Sequence, residues 1–466
     1  MKERTALDLL ISEINTDSKI KSIVDKHFPG LVDMSAQSAI SVRMSLNDVL
    51  KMAPKLTENK ENVEKLKEEL MPYSSKDYLN KLYERKINQY QKIEKEREAK
   101  AIEKSKKPKK NLYHSFRPGK EWSDTQGEPI QAHAGAIIKV GNTYYLYGEN
   151  KEFTDTNTPI WTWGVRMYSS KDLYNWNDEG LIINPVLNDP NSSLFPEKCI
   201  DRPHIVKNSK GKYICWLKLT GSSACFVVLE ANNIKGPYKI IRDNYRPFDI
   251  KVGDYDIVVD KNNNGWLFVT QESAGVFTLK LNSDLTLAEQ KVTKQYENLK
   301  GFMCREGIAV FEHNGKKYMF SSGMTNYVPN QGDCAVSEKW NKPFKSIGDP
   351  YIDDETLTSF NSQFSKVFHI PDTDKYIVLA DRWLGEKLLN RSDAELIRKV
   401  LTSLYDKDIC VTGSERNQVI NGPISQPTPT KYGRYVWLPL IFDSEGNPKI
   451  KWYSEWSLND DLKAGR

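Results

Sequence analysis

The stretch "IQAHAGAIIKVGNTYYLYGE", residues 130–149, consists of two apolar segments joined by a Gly-Asn turn. A short turn of this kind between apolar segments is typical of a β-hairpin. The pattern recurs four more times, as "RPHIVKNSKGKYICWLK" (202–218), "YDIVVDKNNNGWLFVTQE" (255–272), "GIAVFEHNGKKYMFSSG" (307–323) and "SKVFHIPDTDKYIVLADRW" (365–383). An aromatic residue opens the second segment of each hairpin, at positions 52 to 68 residues apart: Tyr145, Tyr213, Trp266, Tyr318 and Tyr376.

These hairpins indicate a repeat architecture. Each hairpin is followed by enough sequence for two more short strands, so the pattern predicts five four-stranded blades. Radial closure of such blades gives an all-β five-bladed β-propeller, which we expect over residues 112–466. A β-sandwich is the alternative, but its strands turn every 8–12 residues or so, and the longer repeat in this sequence fits it poorly.

Residues 1–105 have helical rather than β periodicity. Val63, Leu66 and Leu70, for example, recur three and four positions apart, as on one face of an α-helix. The last predicted helix runs into "EKSKKPKKN" (103–111), which has the composition of a basic linker. We therefore predict a small N-terminal α-helical domain, a bundle accessory to the propeller and without a catalytic group. It could serve oligomerisation or docking.

Composition and charge argue against several classes of protein. The net charge is only +5, and the basic excess lies in residues 86–110, where a solvated helix face or linker explains it, so we predict no nucleic-acid partner. No apolar run reaches the length of a membrane span, about 18 residues. The N-terminal "MKERTALDLLISEIN" lacks a signal cleavage site, and we expect a cytoplasmic protein. The six cysteines form no CxxC pair, which predicts buried free thiols rather than a zinc site or disulfides.

Polar residues stand at the start of four of the five hairpins: Asp201, Asp254, Glu306 and Gln363. The innermost strand of each blade lines the propeller channel, so these side chains should converge at one mouth. Clustered carboxyl groups raise one another's pKa, and carboxyl groups around an aromatic cleft are what glycoside hydrolysis requires. The candidate sugar-stacking residues are Trp161, Trp163, Trp216, Tyr327 and Trp383.

With these residues the chain resembles glycoside hydrolase family 43, the five-bladed propeller hydrolases. It is most similar to the exo-β-1,3-galactanase subfamily. The resemblance covers residues 112–460 in order and none of the first 105 residues. The elements that carry it are "QAHAGAII", "YYLYGENK", "GVRMYSSKDLYNW", "DRPHIVKN", "REGIAVFEHNGKKYMFSSGMTN", "SQFSKVF", "ADRW" and "YVWLPLIF".

The resemblance implies a role for each site residue. Glu306 would be the general acid, and Asp254 the carboxylate that tunes it, with Asp256 as a rival for that role. Asp201 would bind substrate at a position where the galactanases usually carry Glu. The further residues expected to bind substrate are Glu149, His133, Glu297, Thr325, Arg202 and Trp383.

The first hairpin offers no carboxylate as the general base, only Gln131 and His133. The galactanase pattern has the same gap, and it implies that Gln363 of the "SQ" motif takes the base role as its imidic tautomer. A neutral amide is a negligible base unless hydrogen bonds hold that tautomer. His133 is the alternative, because a neutral imidazole is a competent base near neutral pH.

These residues predict an inverting exo-acting glycosidase that releases galactose from β-1,3-galactan or galacto-oligosaccharides, with an imported oligosaccharide as substrate. Two alternatives stay open. One is an α-L-arabinofuranosidase or β-galactofuranosidase of the same family, and the other is a non-catalytic carbohydrate-binding propeller. We expect no cofactor, although the resemblance allows a calcium ion in the channel.

Overall fold

The computed structural model describes residues 5–36, 41–52, 58–155, 158–221, 224–422 and 428–462. Within this part of the chain the strands from His133 onward form five separate sheets. Four of these sheets contain four antiparallel strands each, in sequence order. Their bounds are β1 His133–Val140, β2 Thr143–Glu149, β3 Val165–Ser170, β4 Asn177–Ile183; β5 Ile200–Lys207, β6 Tyr213–Leu219, β7 Cys225–Ala231, β8 Lys239–Tyr245; β9 Tyr255–Val259, β10 Gly265–Gln271, β11 Gly275–Leu281, β12 Ala288–Gln295; β13 Arg305–His313, β14 Lys316–Gly323, β15 Gly332–Ser337 and β16 Lys345–Gly348.

The fifth sheet combines the last hairpin with the C-terminal strands. Its main path runs β17-β22-β21-β19-β18, and β20 pairs with the end of β19. A helical insertion, α7 Arg391–Thr402 and α8 Gly413–Asn421, separates β19 from β20. The strand bounds are β17 Tyr351–Ile352, β18 Gln363–His369, β19 Tyr376–Arg382, β20 Arg434–Tyr435, β21 Leu438–Phe442 and β22 Pro448–Lys451.

The five sheets close into a ring. The innermost strands contact one another in the cyclic order β1, β5, β9, β13, β18 and back to β1. Contact between the first and last inner strands is what a propeller requires and a sandwich lacks. The fold is therefore the predicted five-bladed β-propeller.

Apolar cores fill the spaces between adjacent blades. Trp216 of β6, for example, shares a buried cluster with Tyr255 of β9 and with Leu267 and Val269 of β10. Burying an apolar side chain of this size contributes about 1.5–3 kcal/mol. The aromatic hairpin positions belong to these cores, which is why they recur in every repeat.

The helical region precedes the propeller and has its own core, which includes Leu9, Ile14, Val24, Leu46 and Leu66. Its N-terminal residues 1–4 lie outside the described residues. No helix in the described ranges is long and apolar enough to cross a membrane. The helices are α1 Ile11–Thr16, α2 Ser18–His27, α3 Leu31–Ala36, α4 Leu46–Met52, α5 Lys60–Leu70 and α6 Lys76–Ser105.

The cysteines are all free thiols, but they are not all buried as expected. Cys199 is half-buried and Cys410 is exposed, whereas the other four are buried. Among the described residues, no three His, Cys, Asp or Glu side chains cluster in a way that could hold a metal ion.

Candidate active site

Three inner strands begin with the same β-bulge. Each bulge leaves two residues unpaired, in β1 between His133 and Ala136, in β5 between Asp201 and His204, and in β13 between Glu306 and Ala309. The first unpaired residue has a positive φ in each strand: 44° at Ala134, 50° at Arg202 and 60° at Gly307. A bulge bends its strand and redirects the neighbouring side chains. Positions 133, 201 and 306 are therefore structurally equivalent.

A cleft of about 560 Å³ opens at the ends of these strands. It brings together seven of the ten residues predicted to form the site: Glu149, Asp201, Arg202, Asp254, Glu306, Gln363 and Trp383. The other lining residues are Ala134, Trp161, Lys218, Thr220, Asn326 and Tyr327. The cleft thus contains four carboxyl groups, two cations and three aromatic rings.

Glu306 and Asp254 are neighbouring carboxyl groups with opposite pKa shifts. Burial and the Asp254 charge raise the pKa of Glu306 to about 8. Burial would also raise the pKa of Asp254, but the charges of Arg202 and Lys218 hold it well below its usual range. The Arg202 Nε lies 2.7 Å from Asp254 Oδ2, and the Lys218 Nζ lies 2.6 Å from Oδ1. At neutral pH the pair therefore consists of a protonated Glu306 and an ionised Asp254.

Gly307 follows Glu306 in the chain and contacts the Asp254 carboxylate. Its backbone N–H donates to Asp254 Oδ2 over 2.9 Å. A side chain at this position would meet Ser322 Oγ at 2.8 Å and Gln363 Cγ at 3.1 Å. Glycine adopts the required positive φ without strain, so it allows both the bulge and the close approach.

The Gln363 side chain contacts Glu306 directly. Its Nε2 donates to Glu306 Oε1 over 2.9 Å. Its Oε1 accepts hydrogen bonds from Arg202 Nη2 at 3.0 Å and from Trp383 Nε1 at 3.1 Å. Because a guanidinium and an indole N–H can only donate, these bonds fix the amide orientation. They also favour the ordinary amide over the imidic tautomer. In that tautomer the oxygen carries a hydrogen and needs an acceptor, whereas Arg202 and Trp383 offer only donors.

A protonated acid beside an ionised carboxylate, in a cleft at a propeller mouth, is suited to cleaving a glycosidic bond. The family model of glycosyl hydrolases family 43 matches residues 127–392. The chain belongs to that family. Family 43 consists of glycosyl hydrolases, and inversion at the anomeric carbon is general for it.

Individual relatives of this family 43 protein are distant. An extracellular endo-α-(1→5)-L-arabinanase of Thermotoga petrophila is 24% identical over 197 residues, which are 35% of this chain and 39% of that protein. A solved GH43 β-1,3-galactosidase is 24% identical, with a TM-score of 0.59 over 75% of this chain and 64% of that one. An exo-β-1,3-galactanase from Clostridium thermocellum is 22% identical, with a TM-score of 0.57 over 73% of this chain and 66% of that one. At these identities the structures support the fold alone.

His133 does not reach the cleft of this family 43 protein. Its ring is fully buried and stacks on Tyr435, with centroids 4.9 Å apart. Its Nδ1 lies 3.0 Å from Asp381 Oδ1, and Asp381 Oδ2 accepts the N–H of Ala134. Ala134 lines the cleft instead. The prediction that His133 binds substrate or acts as the base therefore disagrees with its placement, because Asp381 and the Tyr435 ring hold the imidazole inside the protein.

Glu149 and Asp201 line the cleft, but both are tied to protein partners. Burial raises the pKa of Glu149, although the nearby Lys151 charge opposes this. Glu149 Oε2 lies 2.7 Å from Lys151 Nζ, and its Oε1 accepts the Arg202 N–H over 2.8 Å. Asp201 accepts hydrogen bonds from the Trp161 indole N–H, over 2.6 Å, and from the Thr220 hydroxyl. Indole and hydroxyl therefore fix the orientation of the shorter Asp201 side chain.

Three of the five candidate aromatic residues form one wall of the cleft. The rings of Trp161 and Tyr327 lie 6.1 Å apart, and those of Tyr327 and Trp383 lie 5.3 Å apart. The expectation that Trp163 and Trp216 stack on sugar is wrong. Both rings are completely buried, and their indole N–H groups bind Glu94 and the Leu285 carbonyl oxygen.

Two predicted sugar-binding residues lie outside the cleft. Glu297 lies in the segment after β12, where its side chain is 52% exposed and forms an ion pair with Lys294 of β12. The Thr325 hydroxyl donates to the Val328 carbonyl oxygen, and only the Thr325 backbone approaches Glu306. Asp256, the rival of Asp254, is fully buried and bonds to Lys366 and to the Val310 N–H. The structure therefore brings Asp254 to the site instead of Asp256.

Sequence reasoning missed Lys218, Thr220 and Asn326. Lys218 was detectable, because it interrupts the apolar strand "YICWLKL" and a lysine buried there needs an anionic partner. It pairs in register with Asp201, as Glu149 pairs with His133 and Ser322 pairs with Glu306. The residue of the second strand that pairs with position 133, 201 or 306 is thus a second recurring position beside the site.

Proposed function

We propose that this family 43 protein is an inverting, exo-acting hydrolase that releases galactose from β-1,3-linked galacto-oligosaccharides. The observation that carries the proposal is the pairing of Glu306, with a pKa of about 8, and the ionised Asp254. The first inner strand adds Ala134 to the cleft instead of a carboxylate. This combination matches the galactanase pattern, in which the first-blade acid is missing.

Glu306 supplies the proton in the proposed reaction. It donates to the glycosidic oxygen while the bond between that oxygen and the anomeric carbon breaks. Asp254 stays ionised because Arg202 and Lys218 contact it, and its charge keeps the proton on Glu306 until the leaving oxygen accepts it. A water molecule attacks the opposite face of the sugar, which inverts the anomeric configuration. As the new bond between carbon and oxygen forms, this water loses a proton to solvent water, and Glu306 takes a proton back from solvent.

Gln363 is the group proposed to orient this water. In the present arrangement it lies 2.9 Å from Glu306, whereas inverting enzymes keep acid and base about 6.5–9.5 Å apart. Substrate must therefore enter between the two side chains and break their hydrogen bond. Arg202 and Trp383 hold the amide oxygen, so the freed Nε2 is the atom that faces the reaction.

The substrate assignment draws on the galactosidase and galactanase folds that this chain resembles. The arabinanase relative favours an α-L-arabinofuranoside as the second candidate. A cleft in which carboxylates are bound by protein donors also suits a carbohydrate-binding propeller without turnover. The proposed reaction uses no cofactor.

A hydrolysis assay separates these possibilities. β-1,3-Galactobiose, aryl β-galactosides and aryl α-L-arabinofuranosides are supplied in parallel, and products are followed by proton NMR. We expect galactose from the first substrate, appearing initially as the α-anomer. Faster release of arabinose would favour the second candidate. Sugar binding without any turnover would reject the enzyme and leave the binding propeller.

A further inference from the structure

The helical region packs against the loop that leads to the cleft. This loop lies between β2 and β3, is described for residues 150–155 and 158–164, and carries Trp161. Tyr90 of α6 shares a buried apolar cluster with Ile160, Trp163 and Phe195. On the same helix, Glu94 Oε2 accepts the Trp163 indole N–H over 2.7 Å. The loop is thus held from outside by residues that precede the family match, which starts at residue 127.

Arg43 of the helical region contacts the Trp161 part of the site wall. It ends the helical turn Ser41–Arg43, and it is only 9% exposed. Its Nη2 donates to the carbonyl oxygens of Ile160, at 3.0 Å, and Thr158, at 3.3 Å. Its Cζ lies 5.2 Å from the centroid of the Trp161 ring. A buried guanidinium in this position attracts the ring and fixes the backbone that carries it.

Trp161 separates Arg43 from the cleft. The Trp161 ring lines the cleft and also a small neighbouring cavity, and Arg43 lines that cavity but not the cleft. Its indole N–H donates to Asp201 Oδ1 over 2.6 Å. Contacts therefore run without interruption from Arg43 through the indole to a carboxylate in the cleft.

We propose that Arg43 is a positioning residue for substrate binding, which acts through Trp161 on the Asp201 carboxylate. The helical region then completes the sugar site instead of serving only assembly or docking. This inference rests on the proposed function, because its kinetic consequence is seen in glycoside hydrolysis. Glu306 and Gln363 are not part of this chain of contacts, so binding should suffer more than the chemical step.

The kinetic test compares Arg43→Met with Glu94→Ala in the full chain. Met keeps the length of the side chain but removes the charge and the donors. We expect KM for β-1,3-galactobiose to rise on the order of tenfold, with kcat changed by less than about twofold. Glu94→Ala loosens the same loop at Trp163, away from the cleft, and should leave KM unchanged. Arg43→Lys keeps a cation near the ring and should recover part of the loss.

A spectroscopic test works without turnover. Protein labelled with 5-fluorotryptophan gives fluorine NMR signals, and Trp161→Phe assigns the Trp161 signal. Arg43→Met should shift or broaden that signal, whereas Glu94→Ala should affect Trp163 instead. If the wild-type protein hydrolyses no glycoside, the proposed function fails and this measurement still decides the inference. An unmoved Trp161 signal, an unchanged KM in Arg43→Met, or an equal rise of KM in Glu94→Ala would each overturn it.

Discussion

Replacing Glu306 with Gln should abolish hydrolysis and yet stabilise the protein near neutral pH. The folded-state pKa of Glu306 is about 8, against an ordinary value of 4.5. Between these values the folded protein holds a proton that the unfolded chain has lost, so stability falls as pH rises. A pKa difference of one between the folded and unfolded states corresponds to about 1.4 kcal/mol of stability. Compared with low pH, where both states are protonated, Glu306 therefore lowers the free energy of unfolding by less than about 1 kcal/mol at pH 5 and by about 3 kcal/mol at pH 7.

Gln has the shape of a protonated Glu and cannot ionise, so the variant avoids this cost. The Gln363 amide can still donate to its carbonyl oxygen, as it donates to Glu306 Oε1. Guanidinium unfolding of both proteins at pH 5 and pH 7 measures the difference in free energy of unfolding. We expect the advantage of Glu306→Gln to grow by about 2 kcal/mol between the two pH values.

The control is Glu297→Gln, which changes an exposed glutamate outside the cleft. It should alter neither activity nor the pH dependence of stability. If Glu306→Gln shows the same stability difference at both pH values, Glu306 is not held protonated by its surroundings. Retained hydrolysis in this variant would remove Glu306 from the role of general acid.

Three further changes test other parts of the site. The kcat/KM of the wild-type enzyme should fall about tenfold per pH unit above pH 8, because Glu306 must be protonated, and a pH–rate profile checks this. Trp383→Phe keeps a ring but removes the donor to the Gln363 amide oxygen, so kcat/KM should drop about fivefold in the same assay without a change of unfolding temperature. Gly307→Ala introduces a clash with Ser322 and should lower both stability, by about 1–3 kcal/mol, and kcat/KM. Gly315→Ala, in the turn of the same hairpin, has a positive φ but open space around the new methyl group, so it should lower stability alone in thermal unfolding.

The propeller was predictable because each blade repeats the same pattern of alternating apolar strands and the same aromatic core position. Trp266 and Tyr318 recur since each fills the space between two blades, a requirement that every blade shares. The convergence of Asp201, Asp254, Glu306 and Gln363 followed from the same geometry, because inner strands of a closed ring must end at one mouth.

The errors arose where local backbone geometry or long-range contact decides the outcome. His133 was expected at the site from its place in the first hairpin, but a sequence does not show that Asp381, 248 residues later, binds the imidazole while Ala134 lines the cleft. Glu297 and Thr325 were taken from a family resemblance, which transfers sequence position but not the conformation of a loop. Arg43 lies more than a hundred residues before Trp161, and no periodic pattern connects two residues that meet only in the folded chain.

The missing acid of the first blade has a structural explanation. Position 133 is equivalent to Asp201 and Glu306, so it is the place where a carboxylate would be expected. His133 pairs there with Asp381, whose second oxygen caps the Ala134 N–H. A carboxylate at 133 would face Asp381 across a buried contact of about 3 Å, where two negative charges repel strongly. In the first blade the polar residue, His133, therefore joins β1 to β19, and the proposed catalytic residues belong to the other blades.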